Sequence, residues 1–260
     1  MNVEQPPQRW PARLWLVRHG ESAGNVASRM AVSWGEQRVD IAERDVDVPL
    51  SETGVSQSRA LAKWFAGMAG SERPDVLLTS PYLRARQTAD LIRAGGGLVD
   101  TAVAAIADER LREREFGILD RLTPSGVEQL HPEQAEMRRV IGKFYHRPPG
   151  GESWCDVILR LRSIRDTLSL YYPARRVLIV AHEVVVLCFR YLAEDMDEAK
   201  ILEIDRQGDV VNCGVTEYVS DPAPRADAHR LQLTRYNFTA PLEREGAPLT
   251  SAKDQSFAPR

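Results

Sequence analysis

The stretch Leu14-Trp15-Leu16-Val17-Arg18-His19-Gly20-Glu21-Ser22 decides how this chain is read. Four consecutive apolar residues are a short buried-strand signal, and the run stops on an arginine and a histidine. The pattern recurs at Val177-Leu178-Ile179-Val180-Ala181-His182, and a third apolar run, Val76-Leu77-Leu78, leads into Thr79-Ser80-Pro81. Between these runs, Val55 to Met68 and Leu83 to Ile92 carry helical spacing. Glu152 to Tyr172 is the longest helix candidate, with Val157, Leu161, Ile164, Leu168 and Tyr171 stepping by three or four. Thr216 to Val219 and Leu231 to Tyr236 are β-prone and suit late edge strands. Short apolar runs alternating with amphipathic stretches predict a layered α/β domain.

Two regions break the rhythm. Ala27 to Pro49 is long and polar, the kind of loop that usually carries function. The tail from Ala240, holding Pro241, Gly246, Pro248 and Pro259, reads as an extended or disordered arm. The expected organisation is therefore one domain over residues 1–240 and an arm over 241–260.

Composition narrows the function classes. The 260 residues carry 34 Lys+Arg against 37 Asp+Glu, a formal charge of −3, which argues against bulk nucleic-acid binding while leaving room for a local cationic pocket. A chain of this length needs no disulfide or metal staple to fold. The three cysteines, Cys155, Cys188 and Cys213, show no ligand spacing, and the polar N-terminus from Met1 to Pro11 lacks the apolar core of a signal peptide. No apolar run reaches the roughly 20 residues of a membrane span. The expectation is a cytoplasmic protein with reduced thiols, bound neither to membrane nor to nucleic acid.

Only five histidines are present, and His19 and His182 both follow the ends of predicted buried strands. Ligands of open α/β sheets bind beyond the carboxyl ends of strands. One such histidine is ordinarily a structural hydrogen-bonding residue; two in equivalent positions, one flanked by Arg18 and Gly20, point to a site. Arg18 offers a planar fork suited to phosphate oxygens. Gly20 permits close backbone approach or a positive φ, and Asn25 could lend an amide to the same oxyanion. In Ser80-Pro81-Tyr82-Leu83-Arg84-Ala85-Arg86, Ser80 can cap a helix and Pro81 fits its first turn. Arg84 then sits near the positive helix end, a conflict that a bound anion removes. Arg86 faces elsewhere and is read as solvated.

Six motifs now stand in order: Arg18-His19-Gly20-Glu21; Leu50-Ser51-Glu52-Thr53-Gly54; Ser80-x-x-Leu83-Arg84-Ala85-x-x-Thr88; Leu111-x-Glu113-x-x-x-Gly117; Pro149-Gly150-Gly151-Glu152-Ser153; and Val180-Ala181-His182. Together they resemble the phosphoglycerate-mutase-like branch of the histidine phosphatase superfamily, from about Leu14 to Val219. The stretch from His146 to Ser153 looks most like small phosphatases and the sugar-bisphosphatase half of bifunctional fructose-2,6-bisphosphate enzymes. The resemblance implies a three-layer sandwich with a mixed, mainly parallel central sheet flanked by helices. It implies His19 as a nucleophile that becomes phosphohistidine, with Arg18, Asn25, Arg84 and His182 holding phosphoryl oxygens. It also implies Glu113 as the acid that protonates the leaving alkoxide and later activates water. Fixed cations aimed at the phosphoryl oxygens are what this slow reaction requires, and they disfavour protonation of His19. Family spacing selects Glu113; Glu109 and Glu115 are read as solvated. No metal and no cofactor are expected, and the partner is a small phosphorylated substrate.

Two departures shape the functional reading. Residue 183 is Glu where many relatives carry Gly. It is read first as a helix-N1 acid, and alternatively as a specificity residue. Gly117 to Pro148 is shorter than the corresponding mutase insertion, so less cover and easier water access are expected. The preferred reading is therefore a metal-independent phosphomonoesterase. Phosphoglycerate mutase and a non-catalytic phosphate-binding regulator remain alternatives. The substrate's remaining part would be read by Ala27–Pro49, Gly117–Pro148, Arg206, or Tyr145, His146 and Arg147.

Overall fold

The computed structural model describes residues 10–220 and 231–251. Six strands form one sheet: β1 (Arg13–Arg18), β2 (Val76–Thr79), β3 (Ala105–Ala107), β4 (Arg176–Ala181), β5 (Val215–Ser220) and β6 (Leu231–Phe238), in the order β3-β2-β4-β1-β5-β6. The first four strands run parallel, and β5 and β6 add an antiparallel edge. This is the mixed, mainly parallel sheet expected from the sequence. In β1 and β4 every residue after the first is buried, because helices cover both faces of the sheet.

The helices are α1 (Ala23–Ser33), α2 (Glu52–Ala66), α3 (Leu83–Ala94), α4 (Pro124–Leu130), α5 (Pro132–Tyr145), α6 (Trp154–Tyr171), α7 (Glu183–Ala193), α8 (Glu198–Gln207) and α9 (Ala240–Arg244). Strand side chains alternate between two cores, as a period of two requires. Leu14, Leu16, Val177 and Ile179 join α6 and α7, while Trp15, Val17, Leu178 and Val180 join α2 and α3. A third small cluster, Phe116, Leu119, Leu122 and Val127, sits apart from both.

Caps fix several helix starts more sharply than periodicity does. At α6 the Ser153 hydroxyl accepts the Asp156 amide while the Asp156 side chain reaches back to the Ser153 amide, so the helix begins at Trp154. Ser51 accepts the Gly54 amide and starts α2 at Glu52, earlier than the apolar pattern alone indicates.

Three expectations need correction. The polar stretch 27–49 is not wholly loop: α1 continues to Ser33 from a Ser22 capping box, leaving a connection over 34–51 with one short turn at Asp45–Asp47. Helix α3 starts at Leu83 with Tyr82 as N-cap, not at Ser80. The Ser80 amide still belongs to the sheet, donating to the Val180 carbonyl at 3.0 Å. Finally, residues 240–251 are not an extended arm. Pro241 and Leu242 bury α9 against the α2/α3 side, and Gln57 Nε2 donates to the Pro248 carbonyl (2.8 Å) and to Thr250 Oγ1 (2.9 Å). Two apolar side chains and one buried amide suffice to fasten a segment of low overall hydrophobicity. The remainder of the expected arm, like the first nine residues, lies outside the described residues.

Leu242 gives a direct check of this docking, since its side chain is fully buried. Leu242→Ala is expected to lower unfolding free energy by about 3 kcal/mol. Equilibrium urea denaturation measures it; an unchanged midpoint would show that the segment is not docked in solution.

Candidate active site

Register places the carboxyl ends of three strands side by side. Arg18 pairs with Ala181 and Thr79 with Val180, so His19, His182 and Ser80 all leave the sheet at one level. The His19 amide donates to the Ala181 carbonyl at 2.9 Å. Behind β1, the Asn212 amide group donates to the His19 carbonyl (3.1 Å), and the Cys213 N–H reaches the Arg18 carbonyl (3.0 Å). Gly20 has no positive φ and is required by backbone packing: a Cβ there would lie 2.5 Å from the Gly54 carbonyl oxygen, and one on Gly54 would lie 2.0 Å from the Glu21 carbonyl oxygen. The two motifs carry glycines because the strand-end turn and the start of α2 touch backbone to backbone.

Hydrogen bonding assigns the His19 tautomer. Nδ1 lies 2.7 Å from the Gly20 carbonyl, which can only accept, so Nδ1 carries the proton. Nε2 then holds a lone pair, and Arg84 Nε, which can only donate, points at it from 3.2 Å. The two imidazoles meet edge to face with centroids 5.1 Å apart. His182 Nε2 lies 2.8 Å from Ser80 Oγ, and its Nδ1 lies 3.5 Å from Glu113 Oε2. The other Glu113 oxygen accepts the Arg114 amide at 2.7 Å. Glu113 is buried, whereas Glu109 and Glu115 are exposed, so the family spacing and the burial select the same carboxylate.

Arg18, fully buried, donates from Nη1 to the Val210 carbonyl at 2.5 Å and lies 3.5 Å from Glu183 Oε2. Asn25 closes the α1 capping box with Ser22, and its Oδ1 is 3.5 Å from Asn212 Nδ2. The fold therefore gathers Arg18, His19, Asn25, Arg84, Glu113 and His182, drawn from five places in the sequence, at one end of the sheet. Arg86 is exposed, as expected.

The neighbouring ionisable groups do not compete as nucleophiles. Burial pushes the Cys213 thiol up to about 12, so it stays protonated. Tyr82 packs its ring on His182 and carries the Arg84 guanidinium over its face at 4.9 Å. Burial first, then the Glu115, Asp45 and Glu113 carboxylates, hold its phenol protonated well above the usual range.

A cleft adjoins this constellation, with Asn25, Arg84 and Glu113 in its wall. Beyond them it is lined by Val39, Ile41 and Phe116 and by Glu43, Asp45 and Asp120. Tyr145, His146, Arg147 and Arg206 do not line it; Arg147 pairs with Asp156, and His146 is buried beside Gln134. Beside the short insertion, for which less cover than in a mutase was expected, the segment before α2 contributes to the cleft wall. The segment before α2 lies across the region after Glu113: the Val39 amide donates to Arg121 (2.8 Å), and the Thr123 amide to Gln37 (3.1 Å). The Arg121 guanidinium adds donations to the Ile41 (2.9 Å) and Glu43 (2.6 Å) carbonyls. Val39, Ile41, Glu43, Asp45 and Val48 of that segment thus stand in the cleft wall next to Phe116, Asp120 and Arg121.

Sequence reasoning missed four supporting residues. Asp45 accepts from the Arg84 fork through its carbonyl (2.6 Å) and its carboxylate (3.0 Å). Ser80 anchors His182 rather than capping a helix. Thr88 Oγ1 accepts the Gly20 amide at 3.0 Å, and Asn212 ties the His19 carbonyl. Ser80 and Thr88 stood inside a recognised motif. Asp45 and Asn212 carry no local signal, because only the folded chain brings them to the site.

A profile of the histidine phosphatase superfamily (branch 1) matches residues 14–226. The chain belongs to that superfamily. A probable phosphoglycerate mutase of Photorhabdus laumondii is 30% identical over 178 residues, covering 68% of this chain and 72% of that one. A 6-phosphofructo-2-kinase/fructose-2,6-bisphosphatase of Caenorhabditis elegans is 31% identical over 179 residues, 68% of this chain and 33% of that one. Among solved structures, a mycobacterial glucosyl-3-phosphoglycerate phosphatase complexed with VO3 aligns with TM-score 0.65 and 25% identity, covering 87% of this chain and 99% of that chain. In this superfamily member no described helix is long and apolar enough to cross a membrane.

Proposed function

We propose that the chain is a metal-independent phosphomonoesterase acting on a small phosphorylated metabolite through a phosphohistidine. The observation that carries this reading is the His19 tautomer, with its lone-pair Nε2 facing Arg84 and its Nδ1 proton committed to the Gly20 carbonyl. Nε2 attacks phosphorus in line as the ester P–O bond breaks, and Glu113 gives its proton to the departing oxygen. Water then loses a proton to Glu113 and attacks phosphorus; the P–N bond breaks, and the electron pair returns to Nε2. Arg18, Arg84, His182 and Asn25 hold the equatorial oxygens as charge develops. The Asp45 oxygens now on Arg84 yield those donors to the phosphoryl group.

Cleft charge favours hydrolysis of a monoester over mutase chemistry. Glu43, Asp45 and Asp120 line the region beyond the phosphoryl pocket and outnumber its added cation, Arg121, which pairs with Asp120 at 3.8 Å and donates to loop carbonyls. A phosphoglycerate carries a carboxylate into that region, where like charges oppose it.

A panel of phosphomonoesters assayed with EDTA present tests the reading. Turnover of at least one neutral-alcohol ester is expected, unaffected by EDTA and not stimulated by 2,3-bisphosphoglycerate. Activity that needs a divalent ion, or interconversion of phosphoglycerates stimulated by the bisphosphate, would overturn it.

A further inference from the structure

Glu183 opens α7 directly after His182 and is buried. Its Oε2 lies 3.5 Å from Arg18 Nη1, its Oε1 accepts the Val210 amide at 3.4 Å, and the same Arg18 nitrogen donates to the Val210 carbonyl. Groups from β1, α7 and the loop before β5 thus close on one another. A carboxylate this deep is tolerated only beside positive charge, and two sources are present: Arg18 and the amino end of α7. Both would also attract a phosphoryl dianion. Asp45 on Arg84 is different in kind, because its side chain is 36% exposed and sits on a loop, whereas the Glu183 side chain is 6% exposed. An incoming phosphate can displace the first carboxylate but not the second.

We propose that Glu183 is a positioning residue that fixes the Arg18 guanidinium and permanently offsets part of its charge, so that the site releases inorganic phosphate readily. This rests on the phosphomonoesterase reading. Any anion held by Arg18 feels Glu183 as a like charge only a few ångströms further away. That repulsion acts on bound substrate and bound product alike, so removing it tightens the ground states without speeding the chemistry.

The test is inorganic phosphate binding to the full chain, by titration calorimetry and by competitive inhibition, for wild type, Glu183→Gln and Glu183→Asp. Glu183→Gln is expected to bind phosphate about tenfold more tightly, given a charge this close in a protein interior. KM should fall with it while kcat does not rise, and Glu183→Asp should keep wild-type affinity. Glu183→Asn also deletes the charge while keeping a side-chain amide oxygen at this position, and is expected to move affinity the same way; it serves where Glu183→Gln is poorly folded. Thermal melts with and without phosphate should show a larger phosphate-induced rise for the charge-deleted chain, whatever its starting Tm. A merely structural role predicts the opposite sign, weaker phosphate binding. Equal or weaker binding by folded Glu183→Gln, with wild type still binding phosphate, overturns this inference alone. A wild type that binds no phosphate overturns the underlying reading and this inference with it.

Discussion

His19→Ala is expected to remove essentially all ester hydrolysis, a fall on the order of 10⁵-fold or more in kcat. The imidazole is fully buried, and its Nε2 is the lone-pair nitrogen under Arg84; no adjacent group can replace it. The Cys213 thiol is held protonated by burial, and a water in its place would lose the two-step route through an enzyme-bound phosphate. Incubation with labelled substrate separates this from a general loss of structure. In the wild type, label on an imidazole nitrogen should survive alkaline quench and be lost in acid. The alanine variant should carry no label while melting as a folded protein. Turnover that persists in His19→Ala would remove the proposed nucleophile altogether.

Glu113→Gln should cost about 10²- to 10⁴-fold with alkyl phosphates, the usual range for one general acid–base group. The carboxylate is buried, accepts the Arg114 amide on one oxygen and lies 3.5 Å from His182 Nδ1 with the other. Glutamine keeps the amide contact and loses the transferable proton. The loss should depend on the leaving group. An ester such as p-nitrophenyl phosphate, whose phenolate needs little protonation, should still phosphorylate His19, while the later step still lacks a base to activate water. Rapid-quench kinetics should then show a burst of nitrophenolate followed by slow turnover. Equal rate losses for alkyl and aryl esters, with no burst, would place the proton elsewhere.

Much of the fold was legible because burial on both faces of a parallel sheet forces continuous apolar runs, as in Leu14–Val17 and Val177–Ala181. Helix limits were less legible, since periodicity marks the buried face and not the end. At α6 a capping box decided the start, and at α3 the strand-end hydrogen bonding of Ser80 delayed it. The tail misled for a related reason. Proline-rich, weakly apolar sequence argues for disorder on average, yet one fully buried leucine and two hydrogen bonds from Gln57 dock it.

The site divides along the same line. His19, Arg18, Arg84, Glu113 and His182 were readable because each follows a strand end or stands in a motif whose glycines enforce close backbone packing. Gly117, for example, has φ +56, and a Cβ there would lie 2.1 Å from the Pro149 carbonyl. That local chemistry is written in the chain and fixes which side chains stand at the strand ends. The tautomer of His19, the carboxylates set against Arg18 and Arg84, and the acidic wall of the cleft were decided only in three dimensions. Apart from the His19 Nδ1 contact to the next residue, these contacts join groups 27 to 192 positions apart, and electrostatic and hydrogen-bond energies are functions of distance in space, not of separation along the chain.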